Sequence, residues 1–222
     1  MRLGWLPCRA GQVRLGLALL AGLGGCAGQG PQHEALAARL RVASVAEASG
    51  QPDVALSVLA KLASTAPENA DVQARYAKAL IRAGNVAEAE QVTTQALRRR
   101  PGNAALLREL GNVHVLNGRP AEALEVFQAV LRASPREVAA LSGRGVAFDL
   151  LGQHVQAQAS YRAALAIDPQ HLPTLNNLAL SYLLAGRPQE AITVLEPLVQ
   201  RADAPERVRN NLAVARAAAG NP

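Results

Sequence analysis

One interval governs this sequence, and it is 34 residues long. Glycines stand at Gly50, Gly84, Gly118, Gly152, Gly186 and Gly220, each 34 after the last. Prolines keep the interval at Pro67, Pro101, Pro135 and Pro169, and alanines keep it at Ala55, Ala89, Ala123, Ala157 and Ala191. Three series at one period mean one structural unit copied along the chain, and such a unit must bury its apolar face on its neighbours. Each series has a physical reading. Glycine supplies the left-handed residue that ends a helix. Alanine lets two helices cross closely. Proline cannot continue a helix, so it opens the turn into the next unit. Between these points apolar residues recur at helical spacing, as in Leu106, Leu107, Leu110, Val113 and Leu116, followed by Ala123, Leu124, Phe127 and Leu131.

Composition agrees with a unit of two helices. Half of the residues are hydrophobic, yet only 3% are aromatic, and Ala and Leu carry the difference. Both enter helices at little cost, whereas sheets want β-branched and aromatic side chains. A helical unit of this period resembles the tetratricopeptide repeat. The resemblance implies an all-α solenoid of stacked antiparallel helix pairs, wound into a right-handed superhelix. Its first helices would line a concave groove able to hold a peptide or helix of another protein. The family's pattern divides the chain into five repeats, 36–69, 70–103, 104–137, 138–171 and 172–205, with residues 206–222 as a capping helix. A large slot in the second helix holds Leu59, Thr93, Phe127, Tyr161 and Leu195. A small slot in the first helix holds Ala43, Ala77, Gly111, Gly145, Ala179 and Ala213. The family's tryptophan position is not kept, and Ala46 stands where an aromatic is usual.

The first 25 residues have the layout of an export signal. Arg2, Arg9 and Arg14 make a basic start, residues 15–23 are a short apolar run, and Gly24 and Gly25 are a small-residue exit. The run is far shorter than the roughly 20 residues that cross a bilayer. Leu23-Gly24-Gly25-Cys26 resembles the bacterial lipobox, which implies cleavage before Cys26 and a covalent lipid on its thiol, the nucleophile of such chemistry. Several acyl chains anchor firmly, at about 0.8 kcal/mol per buried CH₂. No aspartate follows the cysteine, and the resemblance therefore points to the periplasmic face of a bacterial outer membrane. Residues 26–35 are expected to be a lipidated, flexible tether. The leader takes three of the six net positive charges with it and leaves +3. Without aromatics interleaved among bases, nucleic acid is not an expected partner.

Catalysis needs titratable groups that converge. His33, His114, His154 and His171 are scattered without metal-ligand spacing, and both cysteines precede residue 27. Gly143-Arg144-Gly145 falls inside a helical stretch, away from the strand a dinucleotide loop requires. No enzyme activity, cofactor, metal or small-molecule substrate is expected. Arg98, Arg99 and Arg100 end a second helix, where cations complement its dipole; the other reading is a docking patch for an acidic surface or lipid. By repeat position, the groove-facing candidates are Lys78, Arg108, Asn112, Asn176, Asn177, Asn210 and Asn211, with Leu180, Leu183 and Leu184 as an apolar stretch. Asparagine amides donate and accept, so a ladder of them suits a peptide backbone. Arg108 with Asn112 resembles half of the carboxylate clamp of some repeat proteins, although Gly143 stands where the clamp needs asparagine.

The last third narrows the resemblance. Asn176-Asn177-Leu178-Ala179-Leu180 precedes Gly186-Arg187, and Val208-Arg209-Asn210-Asn211-Leu212-Ala213 precedes Gly220. With the lipobox, this pattern resembles the TadD lipoproteins of the tight adherence (Flp) pilus assembly system. That resemblance implies a pilotin-like role, with a segment of an outer-membrane secretin or another pilus-assembly component as the partner. The alternatives are a general periplasmic adaptor for cell-envelope enzymes and a type IV pilus pilotin-type lipoprotein.

Overall fold

The computed structural model describes residues 30–202 and 204–220. The leader expected over 1–25 and the lipidated Cys26 lie outside the described residues. Two compact units divide the chain, Met1–Ala38 and Arg39–Pro222. The first is described only where it opens α1. The second holds the repeats.

The described residues form eleven α-helices: α1 (Gly30–Ala48), α2 (Pro52–Thr65), α3 (Ala70–Arg82), α4 (Val86–Arg99), α5 (Ala104–Leu116), α6 (Pro120–Ala133), α7 (Val138–Leu150), α8 (His154–Leu165), α9 (Leu172–Leu184), α10 (Pro188–Val199) and α11 (Glu206–Ala218). They make five helix pairs and one last helix. One expectation changes: the tether read over 26–35 is already helical from Gly30 onward. The run Glu34, Ala35, Leu36, Ala37, Ala38 shares the composition of the helix that follows it, and alanine and leucine favour that state.

The repeated glycines are where the chain reverses. Gly50, Gly84, Gly118, Gly152, Gly186 and Gly220 all have φ between 68° and 81°. Five of them build the same cap. At the end of α3 the Gly84 N–H donates to Ile81 O at 3.1 Å and the Asn85 N–H donates to Leu80 O at 2.9 Å. This pair of bonds satisfies carbonyls that the helix end would leave orphaned. Nothing lies within 4 Å of a Cβ built on any of these glycines, so backbone conformation and not space selects glycine there. Two first helices, α3 and α5, start on asparagine caps. The Asn69 and Asn103 side chains accept from the N–H groups of Val72 and Leu106 at 3.1 and 3.0 Å.

Packing gives the stack its concave side. From α3 to α9, each first helix packs on its own second helix, on the preceding second helix and on the next first helix, while second helices do not pack on one another. First helices therefore form the inner wall. The spaced alanines Ala55, Ala89, Ala123, Ala157 and Ala191 are all buried at these crossings. The third and fourth repeats use glycine for the same purpose. A Cβ on Gly111 would meet the Phe127 ring at 2.7 Å, one on Gly143 would strike the same ring, and one on Gly145 would strike Tyr161. Gly143-Arg144-Gly145 is thus a seat for two aromatic rings, in a core that has few of them. Ala213, in the small slot of α11, is exposed because no described second helix follows it.

The junctions also carry polar ties that the periodic series did not reveal. Arg119, beside Gly118, donates to Glu90 of the preceding repeat at 2.6 Å. At the equivalent position two repeats on, Arg187 reaches Gln158 and Glu190 and lies 4.9 Å over the Tyr182 ring.

Candidate functional site

The concave face has two chemically different halves. Toward the N-terminus, α1, α3 and α5 enclose a cavity of about 290 Å³ whose charged lining is Glu47, Asp71 and Glu109 against Arg75, Lys78 and Arg108. Most of these charges are already committed. Arg75 lies 3.2 Å from Asp71, and Arg82 lies 2.9 Å from Glu47. Arg108 donates through Nε to Glu109 at 3.2 Å and through Nη1 to Glu137 at 2.9 Å. Asn112 donates to the other Glu109 oxygen at 3.1 Å. Burial pushes the Arg108 guanidinium down, but Glu109 and Glu137 outweigh it and hold it above its usual value.

The half-clamp read at Arg108 and Asn112 is therefore filled by the chain itself. Glu109 is only 2% exposed, and a buried carboxylate must be hydrogen-bonded where it sits. The missing clamp asparagine has a physical reason too, because a side chain at Gly143 would strike Phe127. Lys78 alone among these groove cations remains exposed and without an ion partner among the described residues.

Toward the C-terminus the wall turns apolar. Val146, Leu150, Asn177, Leu180 and Leu184 open on a cavity of about 370 Å³ between α7 and α9. Leu116, Leu150 and Leu184, spaced at the repeat interval, are 55%, 54% and 62% exposed. They form one leucine row over three repeats. Leu180 and Leu183 are half-buried beside it. The asparagines divide. Asn176 is buried and accepts from the Asn211 amide at 2.8 Å, which ties α9 to α11. Asn177 lines the cavity and Asn210 is exposed. Of the residues expected to face a guest, Asn176 and Asn211 thus hold each other and Leu183 packs against the core, while Asn177, Leu180 and Leu184 line open space.

Beneath that cavity lies a buried polar cluster centred on Asp149. Its Oδ1 accepts from the Ser181 hydroxyl at 2.7 Å and from His154 Nδ1 at 2.8 Å, and its Oδ2 accepts from the Tyr161 hydroxyl at 2.9 Å. Burial, with help from the Asp149 charge and hydrogen bond, pushes the Tyr161 hydroxyl far above its ordinary value. The four side chains resemble catalytic components, but their arrangement differs from a nucleophile paired with its base. Ser181 is fully buried and bonds the carboxylate directly. The cluster joins α7, α8 and α9. No local pattern announces it, since these residues are up to 32 apart. Leu116 and Leu150, by contrast, could have been found by counting back from Leu184 in steps of 34. Among the described residues no group of three or more His, Cys, Asp and Glu could hold a metal ion, and no helix is long and apolar enough to cross a membrane.

Stacked helix pairs with an inner wall of first helices define an α-solenoid, a class built for holding other proteins and not typically catalytic. Tetratricopeptide repeat models match residues 46–94, 77–137, 108–171 and 150–221. The chain belongs to the tetratricopeptide repeat family. No curated protein sequence matches it. Among solved structures it is similar to the tetratricopeptide repeat protein TTC0263 of Thermus thermophilus, with 24% identity and a TM-score of 0.73 over 81% of this chain and 98% of that one. It is also similar to PilW, described as a type IV pilus biogenesis factor, with 21% identity and a TM-score of 0.70 over 85% and 87%. MamA of Desulfovibrio magneticus RS-1 follows at 20% identity and a TM-score of 0.55 over 73% and 92%. At these identities the likeness is one of fold.

Proposed function

We propose that this chain is a lipid-anchored scaffold whose apolar half-groove takes up a segment of a partner in pilus assembly, most closely in the manner of the TadD-like lipoproteins. The observation that carries the reading is the leucine row. Leu116, Leu150 and Leu184 stand in water at the same repeat position, the last two lining a cavity, while the charges of the other half are largely satisfied internally. Apolar side chains held out on a rigid concave surface suit an amphipathic helix, which would lay its own apolar stripe along them. Residues 1–25 would be the export signal, Cys26 would carry the lipid, and α11 would cap the stack. The lipobox pattern supports the anchor. The PilW likeness and the two Asn-Asn-Leu-Ala helices support a pilus system, and a secretin segment is the partner that reading favours.

The test is co-purification from membranes with the tagged chain, comparing the unaltered protein with Leu150→Glu/Leu184→Glu. Recovery of a secretin or another pilus component with the former and its loss with the latter is expected. Equal recovery from both would remove the groove from the mechanism. Recovery of cell-wall hydrolases in place of pilus components would favour the envelope-adaptor alternative.

A further inference from the structure

The first helix pair exposes a face that every later repeat buries. In α3, α5, α7 and α9 the residues equivalent to Val45 are Ala79, Val113, Ala147 and Ser181, none more than 6% exposed, because the preceding second helix covers them. Val45 is 64% exposed and Val42, on the same side of α1, is 54% exposed. Val54 stands out as well: its equivalents Glu88, Glu122, Gln156 and Glu190 are all polar, as suits a solvated position. Next to these valines, Arg39 and Lys61 flank a shallow cavity of about 210 Å³ floored by Val42, Val58 and Leu62. Arg39, Arg41 and Lys61 have no ion partner among the described residues, and within 39–65 the one unpaired carboxylate is Asp53.

We infer that this valine-studded, cationic end of the solenoid docks on an anionic lipid surface. Bases ringing a small apolar face attract anionic headgroups while the apolar part enters the boundary region. A second copy is a poor occupant, since the opposite end of the stack presents Arg207 and Arg209 on α11. Stacking end to end would set like charges together. The inference rests on the proposed anchor in one respect. A lipid on Cys26 stands 13 residues before Arg39, which would cap the separation at about 45 Å were all of it extended, and at less because the chain is helical from Gly30, so this face stays in reach of the bilayer. Docking would fix which way the groove points from the membrane, something a tether alone does not do.

Tryptophan can report the contact, because the chain's single tryptophan, Trp5, lies in the leader. Val45→Trp and, as a distant control, Val155→Trp, whose parent is 79% exposed on α8, are purified from membranes and reconstituted with vesicles containing brominated lipid. One vesicle set is rich in phosphatidylglycerol and the other is all phosphatidylcholine. The expected result is quenching at position 45 in the anionic vesicles only, none at 155, and loss of quenching in Arg39→Gln/Arg41→Gln/Lys61→Gln or at high salt. No quenching at 45 in anionic vesicles would overturn the docking. So would a shielded tryptophan at 45 that depends on protein concentration and not on lipid, which would assign the face to a second copy or another protein. The mass of the N-terminal fragment reports the lipid separately. An unacylated chain that still quenches with added anionic vesicles would sink the anchor and keep the docking face.

Discussion

Replacing a helical glycine by alanine normally stabilises a helix by about 1 kcal/mol. At Gly143 the opposite sign is expected. The new methyl would crowd Cζ and Cε1 of Phe127, whose ring is completely buried. A ring with no exposed surface gives way only by displacing its neighbours in a close-packed core. Overpacking of this kind costs about 1–3 kcal/mol. Set against the gain in propensity, Gly143→Ala should be destabilised by about 1 kcal/mol and at most about 2. The sign should reverse once the ring is gone. In a Phe127→Leu background the crowding atoms are absent, and Gly143→Ala should be neutral or stabilising, with a coupling between the two sites of about 1–3 kcal/mol. Urea unfolding followed by far-UV circular dichroism supplies the four midpoints of the cycle. A Gly143→Ala protein more stable than its parent while Phe127 is present would refute the idea that glycine is there to seat the ring.

Other outcomes follow from the same geometry. Asp149→Ala leaves the buried Ser181 and Tyr161 hydroxyls without their acceptor and should cost about 3 kcal/mol; hydrogen exchange should quicken in α7, α8 and α9 together, and a change confined to α7 would count against a shared junction. His114 is held below its ordinary value of 6.5, chiefly by burial and then by Arg119. The unfolded chain therefore takes up the proton first, so stability present above pH 6.5 should decline as pH falls below it, and His114→Phe should flatten that slope. At the alkaline end, burial and Glu88 push the Tyr76 hydroxyl up to about 12. Its stabilising contribution is intact below pH 10 and should fall away between 10 and 12 as the unfolded chain ionises first, and a tyrosine absorbance titration with a normal Tyr76 step would contradict the Glu88 contact. Cys26→Ser should move the protein out of the detergent phase on partitioning; unchanged partitioning would dispose of the lipobox.

Periodicity carries its information locally, and this explains what is legible before any coordinates. The position of each turn is written in a glycine that must take a positive φ, and each close crossing is written in an alanine. Helix pairs, repeat boundaries and the small and large slots follow from the chain's own order because each depends on a residue's own backbone or on neighbours one repeat away. The leucine stretch at Leu180, Leu183 and Leu184 is legible for the same reason. Its continuation through Leu150 and Leu116 can be counted in steps of 34, but stacking decides that all three stay exposed.

Side-chain partnership is not written in any single stretch. Arg108 and Asn112 have the right types to hold a guest carboxylate, but folding brings Glu109 and Glu137 to them first. Asn176 looks like a groove residue until stacking places Asn211 2.8 Å away. Asp149, His154, Tyr161 and Ser181 are ordinary when apart and become one buried cluster only when three helices meet. The repeating helical hairpin is thus inherent in the order of residues, since the conformational cost of a turn and the bulk tolerated at a crossing are properties of single positions. Which polar groups stay free for a partner is settled only when the repeats stack, because a buried charge takes the nearest counter-group the stack brings to it and leaves only the remainder exposed.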